Sequence, residues 1–301
     1  MDVTGASSGA GLPGDPVPAD GPVRPARLRS ELKHYPSLAA GGALAAVVVI
    51  VAIAGHIVPP HNPVAINPGH ALEPPGPGHW FGTDQFGRDV FSRVLAGTGI
   101  DVVIGLIVAS LAFAVGSAAG LIPGYLGGWI DDIVMRVADI VMSFPSFLLA
   151  LSIAVVIGNT VGNVIIAVTI AYVPYIVRLT RGSVLPARGS DYVLGARAVG
   201  ASRARVMTLH VLPNAAGPSM VQATLMAGWA ILDVSGLSFL GVGIQPPSPE
   251  LGVQVAQGAS YITSGQWWIS VFPGVAIILA VLAFNFLGDG LRDALDPWME
   301  R

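Results

Sequence analysis

Charge is scarce in this 301-residue chain, where Asp, Glu, Lys and Arg make up 11% against roughly 25% in ordinary soluble domains. With 53% hydrophobic residues, so little charge cannot cover a core with a solvated surface, and a membrane must hide the rest. Cysteine is absent altogether, which excludes disulfides, thiolate metal sites, iron–sulfur clusters and a cysteine nucleophile and leaves the redox compartment unreadable. Lysine occurs once, at Lys33. There is no G-x-x-x-x-G-K-[ST] loop, so the chain cannot itself cradle ATP. H-E-x-x-H and G-x-S-x-G are missing too, and no nucleophile, base or metal-ligand constellation suggests an enzyme. No metal ligand or cofactor is assigned to this chain. A net charge of −3 argues against a nucleic-acid partner, which needs a clustered basic face.

What is present is a series of long apolar runs. Residues 1–37 open with five glycines and five prolines among the first thirty residues and lack apolar periodicity, so they are expected to be a disordered tail. The first apolar run begins only near Leu38, too late for the short core of a cleavable signal, so it is expected to stay as an anchor. Spans near twenty residues cross about 30 Å of hydrocarbon. Six are found, at about 38–58, 100–126, 134–157, 161–180, 217–240 and 270–288. The fold class expected is therefore an all-α membrane protein with six transmembrane helices. Residues 38–99 hold the first helix and an external segment, 100–290 the five-helix core, and 291–301 a short tail. Pro145, Pro174 and Pro273 fall inside spans, which tolerate proline where neighbours satisfy the freed carbonyl.

Basic residues set the orientation. With the N-terminus inside, Arg24, Arg27, Arg29, Lys33, Arg136, Arg178, Arg181, Arg188, Arg197, Arg203, Arg205, Arg292 and Arg301 are cytoplasmic, and only Arg88 and Arg93 lie outside. This asymmetry follows the positive-inside rule, so both termini and a large loop at about 181–216 are expected in the cytoplasm. Trp80, Trp267 and Trp268 then fall near the outer boundary and Trp129 near the inner one.

Gly116, Gly120, Gly124 and Gly128 recur every four residues, a stripe that another helix can approach closely. It serves either packing inside the bundle or a seam with a partner. Asp139 and Asp233 are acids in or near apolar spans, where a charge is costly and needs a partner or an aqueous cavity. For Asp139 the expected partner is Arg136, shared with Asp132 in a cluster at the inner mouth. Asp233 is either a hydrogen-bonded helix contact or a position lining a route. Asn285 carries the same pair of readings, with packing favoured. His34, His56, His61, His70 and His79 show no compact ligand spacing, so ordinary loop histidines are expected, a transient metal contact being the alternative.

The inner loop from Asp191 to Pro218 carries a helical stretch ending near Arg205 and then a proline break at Leu212-Pro213-Asn214. Val193, Ala196, Val199 and Gly200 share one face and Arg197 and Arg203 the other, as in a short helix lying on the membrane surface. A surface connector and a docking element for a cytoplasmic partner both fit.

Three blocks resemble a known family, the integral-membrane permeases of ABC importers, and within it the C-type permease of dipeptide/oligopeptide systems. The inner loop is similar to the importer signature E-A-A-x-x-x-G-x9-I-x-L-P, with Leu194-Gly195-Ala196 at the E-A-A position, then Gly200, His210, Leu212 and Pro213. Leu194 stands where the signature has Glu. The other blocks are GTDQFGRDVFSR from Gly82 and LSFLGVGIQPPSPELG from Leu237 with the following run to Pro297. Together they cover about 80–301. The resemblance implies a type I (MetI-like) permease bundle, a second homologous permease, two ATP-binding subunits that hold the ATP and Mg, an extracytoplasmic binding protein, and surrounding lipid. It also implies a docking helix made by Asp191, Tyr192, Ala196, Arg197, Gly200 and Ala201, with Leu212, Pro213 and Asn214 at its exit. On this reading Gly200 lets a partner approach closely and Arg197 touches it. Dipeptides or oligopeptides are the implied solutes, with a nickel chelate, glutathione or another small solute as the alternative. A secondary transporter would instead be expected to show internal repeats and a midplane ion site, and no convincing repeat is visible.

Cysteines placed at Ser190 and Ser264 are expected to react with an impermeant thiol reagent from opposite sides of the membrane. Labelling of both from one side would overturn the topology.

Overall fold

The computed structural model describes residues 36–295. The tail expectation for 1–37 therefore lies largely outside the described residues, as do Arg24, Arg27, Arg29, Lys33, His34, Arg301 and the side chain of His56. The described chain is helical: α1 (Pro36–Ile57), α2 (Val90–Leu126), α3 (Gly128–Met142), α4 (Ser146–Ile157), α5 (Val161–Ala187), α6 (Asp191–Ala198), α7 (Arg203–Arg205), α8 (Leu212–Ala215), α9 (Gly217–Phe239), α10 (Leu251–Ala259) and α11 (Trp268–Leu295). Among the described residues the β-structure is two isolated bridges, Gly76 with His79 and Thr83 with Asp89. Five helices, α1, α2, α5, α9 and α11, are long and apolar enough to cross a membrane, and the bent pair α3–α4 makes a sixth span when counted as one.

Two spans differ from the sequence expectation. α2 begins at Val90, ten residues before the apolar run at 100, because Asp89 caps it: the carboxylate Oδ2 accepts from the Ser92 N–H at 2.8 Å, satisfying one of the free first-turn donors. The external segment is correspondingly shorter. The span expected at 134–157 is two helices bent by 89°. Pro145 has no N–H to continue the ladder and disfavours helical geometry at Phe144, and here the chain turns. Pro174 and Pro273 sit inside continuous helices. The α4–α5 hairpin turns at Gly158, whose φ is +102°, and Thr160 caps α5 by accepting from Asn163 N–H at 3.2 Å.

Lipid tails are as apolar as leucine side chains, so burial of apolar surface does not drive these helices together; close backbone approach does. The glycine stripe of α2 lies against α5. A Cβ at Gly116 would stand 2.5 Å from Ile176 Cβ, one at Gly120 2.5 Å from the Val177 carbonyl oxygen, and one at Gly124 3.0 Å from Val184 Cγ1. The stripe thus serves packing within this chain. Gly128 leaves it: with Gly127 it forms the turn between α2 and α3, at φ of +66° and +68°. α1 meets α11 in the same manner, at Gly41 against the Phe286 backbone and at Gly290 against Leu38. The opposite face of α1, with Val47, Ile50 and Ile53, is exposed and suits lipid.

Gly120→Ala is expected to lower the melting temperature of the solubilised chain, an overpacking cost of about 1–3 kcal/mol. Gly182→Ala on α5, where a Cβ meets nothing within 4 Å, is expected to be neutral or stabilising by up to about 1 kcal/mol. Equal shifts in the two variants would refute the close-approach assignment.

Candidate functional site

At one end of the bundle, α6 is mounted on the ends of α2 and α5. Asp191 in its first turn and Arg197 in its last match the helix dipole. Val193 is fully buried, and Ala196 packs with Val206, Val211, Ala215, Leu121 and Tyr125. The helix stops at Ala198, earlier than the expected Arg205. Gly200 has φ +83°, its N–H donates to the Arg197 carbonyl at 2.9 Å, and the Ala201 N–H donates to the Ala196 carbonyl at 3.0 Å. These two bonds are the Schellman ending, in which glycine supplies the left-handed residue. Conformation therefore requires Gly200, and the space beside it is open.

Arg197 points inward to the chain itself. Its Nε and Nη2 donate to the Tyr125 hydroxyl at 3.0 and 2.8 Å, and the guanidinium lies 5.1 Å from the Tyr125 ring centroid. These bonds fasten α6 to the last turn of α2, and Arg197 as a residue stays exposed. The apolar face is corrected, since Val199 is 86% exposed, with Tyr192 and Leu194 exposed beside it.

The expected break at Leu212-Pro213-Asn214 is helical instead. Pro213 sits in the first turn of α8, preceded by a π-helical stretch, Val206–Val211. The missing N–H of Pro213 frees the Leu209 carbonyl, and the wider turn accommodates that loss. Leu212 is half-buried, Pro213 and Asn214 are exposed, and Asn214 Nδ2 donates to the His210 carbonyl at 2.7 Å.

The acids singled out from the sequence find other partners. Asp139 accepts from Arg178 Nη2 on α5, and Asp131 takes a bidentate pair from Arg181 at 2.5 Å. The intrahelical cluster expected around Arg136 gives way to these α3–α5 ties, of which the Arg181–Asp131 pair has the favourable fork-to-carboxylate geometry. Asp139 and Arg178 are both half-exposed, so solvent screening leaves that tie weak. Asp233 on α9 accepts from the Tyr172 hydroxyl on α5 at 2.9 Å, which is the helix-contact reading. Asn285 is half-buried on α11.

The opposite end holds a polar cluster built from the GTDQFGRDVFSR block. Asp84 accepts from the Phe86 and Arg88 N–H groups and from Arg88 Nε at 2.6 Å. Arg88 Nη2 reaches Gln257 Oε1 at 3.0 Å, and Arg93 Nη1 reaches the Pro63 carbonyl at 2.8 Å. Trp268, the first residue of α11, is buried, its Nε1 donating to the Thr83 carbonyl at 3.1 Å. Trp80, Trp129 and Trp267 are exposed. In the same segment His61, His79 and Asp89, dispersed in sequence, bring their ligand atoms within 4.8 Å of one another.

Sequence reasoning missed Asp101 and Glu250. Asp101 reads as a span boundary only because α2 is longer than its apolar run. Both are buried, and Asp101 Oδ2 accepts from Ser235 Oγ at 3.4 Å. Glu250 Oε2 caps α10, accepting from Val253 N–H at 2.7 Å. Burial pushes the Glu250 carboxyl up to about 7 from its ordinary 4.5, its bonds from Val253 and Gly252 N–H opposing the shift.

Five spanning helices, six with the bent α3–α4 pair counted as one, define a multi-pass membrane protein. The family profile described as binding-protein-dependent transport system inner membrane component matches residues 116–301. The chain is 41% identical over 252 residues to the dipeptide transport system permease protein DppC of Alkalihalophilus pseudofirmus, covering 84% of this chain and 83% of that one. It is 42% identical over 272 residues to the probable D,D-dipeptide transport system permease protein DdpC of Escherichia coli, covering 90% and 91%. It is 37% identical over 269 residues to the glutathione transport system permease protein GsiD of Pectobacterium atrosepticum, covering 89% of each. The chain belongs to this family, the inner-membrane permeases of binding-protein-dependent ABC importers.

A carboxyl whose folded value is raised stabilises the fold most below its unfolded value and loses that contribution as pH rises through the folded one. The melting temperature is therefore expected to fall as pH rises from about 4.5 through about 7. Glu250→Gln, which keeps an oxygen to cap Val253, should flatten that fall; parallel curves for both proteins would contradict the assignment.

Proposed function

We propose that this chain pairs with a second homologous permease to form the membrane pathway for dipeptides or oligopeptides, and that α6 couples it to cytoplasmic ATP-binding subunits. On this reading the partners bind the ATP and Mg, an extracytoplasmic binding protein delivers the solute, and both termini lie in the cytoplasm. The observation that carries the coupling role is the pairing of a rigid mount with an exposed apolar tip. Val193 and Ala196 face the bundle and Arg197 is fastened to Tyr125, while Tyr192, Leu194 and Val199 project away from it. A helix fixed on one side and apolar on the other suits a partner's cleft.

Force on α6 then passes to α2 through Arg197 and Tyr125, and to α9 through the helical run from Arg203 to Ala215. ATP binding by the partners shifts the permease between inward and outward openings to the extent that the two states dock differently. Asp191 and Gly200 set the start and the end of the docking helix, and Ala201 closes it. Dipeptides are favoured as solutes by the printed names of two of the relatives above, and glutathione by the third.

Reconstituted with its companion subunits, the complex is expected to show ATP hydrolysis stimulated by peptide and its binding protein. The double variant Leu194→Asp, Val199→Asp changes only exposed side chains and should cut that hydrolysis and retention of the ATP-binding subunit at least about tenfold, the cost of burying unpaired charge. Unchanged retention would remove α6 from the docking role. Uphill solute uptake by this chain alone would overturn the reading as a whole.

A further inference from the structure

We propose that His61, His79 and Asp89 form a site for one divalent transition-metal ion of the zinc or nickel type, on the segment between α1 and α2. Three separate turns supply the donors. His61 follows α1, His79 lies on the bridge with Gly76, and Asp89 caps α2. Backbone contacts help hold each of the three turns in place. The His61 N–H donates to Ser92 Oγ at 3.0 Å, the Gly76 N–H donates to the His79 carbonyl at 3.0 Å, and Thr83 bridges Asp89. Such prior fixing removes most of the ordering cost of assembling a site.

The distances fit an ion. His79 Nδ1 lies 2.9 Å from Asp89 Oδ1 and His61 Nδ1 lies 3.6 Å from Asp89 Oδ2. Donors bound at about 2.0–2.2 Å around a tetrahedral ion stand about 3.3–3.6 Å apart, close to the two histidine–aspartate distances, and the two imidazoles, whose ligand atoms lie within 4.8 Å, close onto the ion by small rotations. Asp89 is also oriented from behind: its Oδ2 accepts from the Ser92 N–H at 2.8 Å and from Ser92 Oγ at 2.6 Å, the kind of outer contact that fixes a ligating carboxylate. The side chain of Asp89 is 3% exposed, that of His79 20% and that of His61 48%. One face of the site is thus open to water or a fourth ligand. Two imidazoles and a carboxylate suit zinc, nickel or copper, whereas magnesium and calcium select oxygen donors.

A second trio, His70, Glu73 and His79, shares His79 with the first. His70 and Glu73 already pair at 2.8 Å and are 51% and 43% exposed, and among the described residues no hydroxyl holds the Glu73 carboxylate as Ser92 holds that of Asp89. The first trio is therefore the site. An ion there ties three turns to the start of α2 and stabilises the fold by mass action, whichever solute the permease carries.

The test uses the full-length chain, purified with a histidine-free tag, stripped with chelator and exposed to zinc, nickel or magnesium. Expected are about one zinc or nickel per chain, a raised melting temperature with those ions, and neither effect with magnesium. His61→Ala leaves the backbone bond to Ser92 intact and should weaken zinc binding at least about tenfold, while His70→Ala should leave it within about twofold. Zinc retention no better than magnesium, zinc binding that survives His61→Ala, or zinc binding lost in His70→Ala would each overturn the assignment.

Discussion

Close backbone approach between α2 and α5 is the constraint from which the rest of the bundle follows. In hydrocarbon no solvent squeezes helices together, so two backbones must come near enough for dispersion and weak polar contacts to accumulate. Only side-chain-free positions allow that, and Gly116, Gly120 and Gly124 supply them opposite Ile176, Val177 and Val184. Once α2 is seated on α5, the Thr180–Ser219 hydroxyl contact and the Tyr172–Asp233 bond bring α9 onto α5. The remaining faces of α2 and α9 receive α1 through Gly55 and α11 through Gly228, and Gly41 brings α1 and α11 together.

α2 also joins the two ends of the molecule. Its 37 residues extend about 55 Å at 1.5 Å per residue, well beyond the roughly 30 Å of hydrocarbon. It therefore projects on both sides, capped by Asp89 at one end and carrying Tyr125, the anchor of Arg197, at the other. Polar residues follow that geometry. Asp84, Arg88, Asp89, Ser92 and Arg93 are buried at the first end, where the loops of that end cover them. Hydrogen bonds to Gln257 and Pro63 keep most of that polarity satisfied, as burial away from water demands.

The long helices could be read from the sequence because length and apolarity are local properties. The broken third span could not, since whether a proline is bridged or bends the chain depends on what neighbours offer its orphan carbonyl, and Pro174 and Pro145 look alike in sequence. Ion pairs misled for a related reason. Arg136 is one turn from Asp139, but the partners used, Arg178 and Arg181, stand 39 and 50 residues away. In the inner loop, amphipathic spacing located α6, and the burial of Val193 and Ala196 agrees with it. The Arg197–Tyr125 contact, between residues 72 apart, depends on tertiary structure that a helical wheel does not contain, whereas Val199 is exposed because α6 stops at Ala198 in the local ending that Gly200 supplies. The meeting of His61, His79 and Asp89 was invisible because the turns that join them carry no ligand spacing.

The inner loop combines a stiff element with a compliant one, and the order matters for the coupling proposed above. A docking helix that could swivel on its own would absorb a partner's displacement. The Schellman ending and the Arg197–Tyr125 bonds prevent that, so α6 and the tip of α2 move as one piece. The π-helical stretch Val206–Val211 lies between this piece and α9, and its wider ladder, followed by a proline that donates no hydrogen bond, resists bending less than an α-helical turn. Displacement at α6 therefore reaches α2 directly and α9 through a softer link. Because α2 is locked to α5 along the glycine stripe, those two helices shift together, and relative motion falls on the α5–α9 contact, where Asp233 and Tyr172 meet.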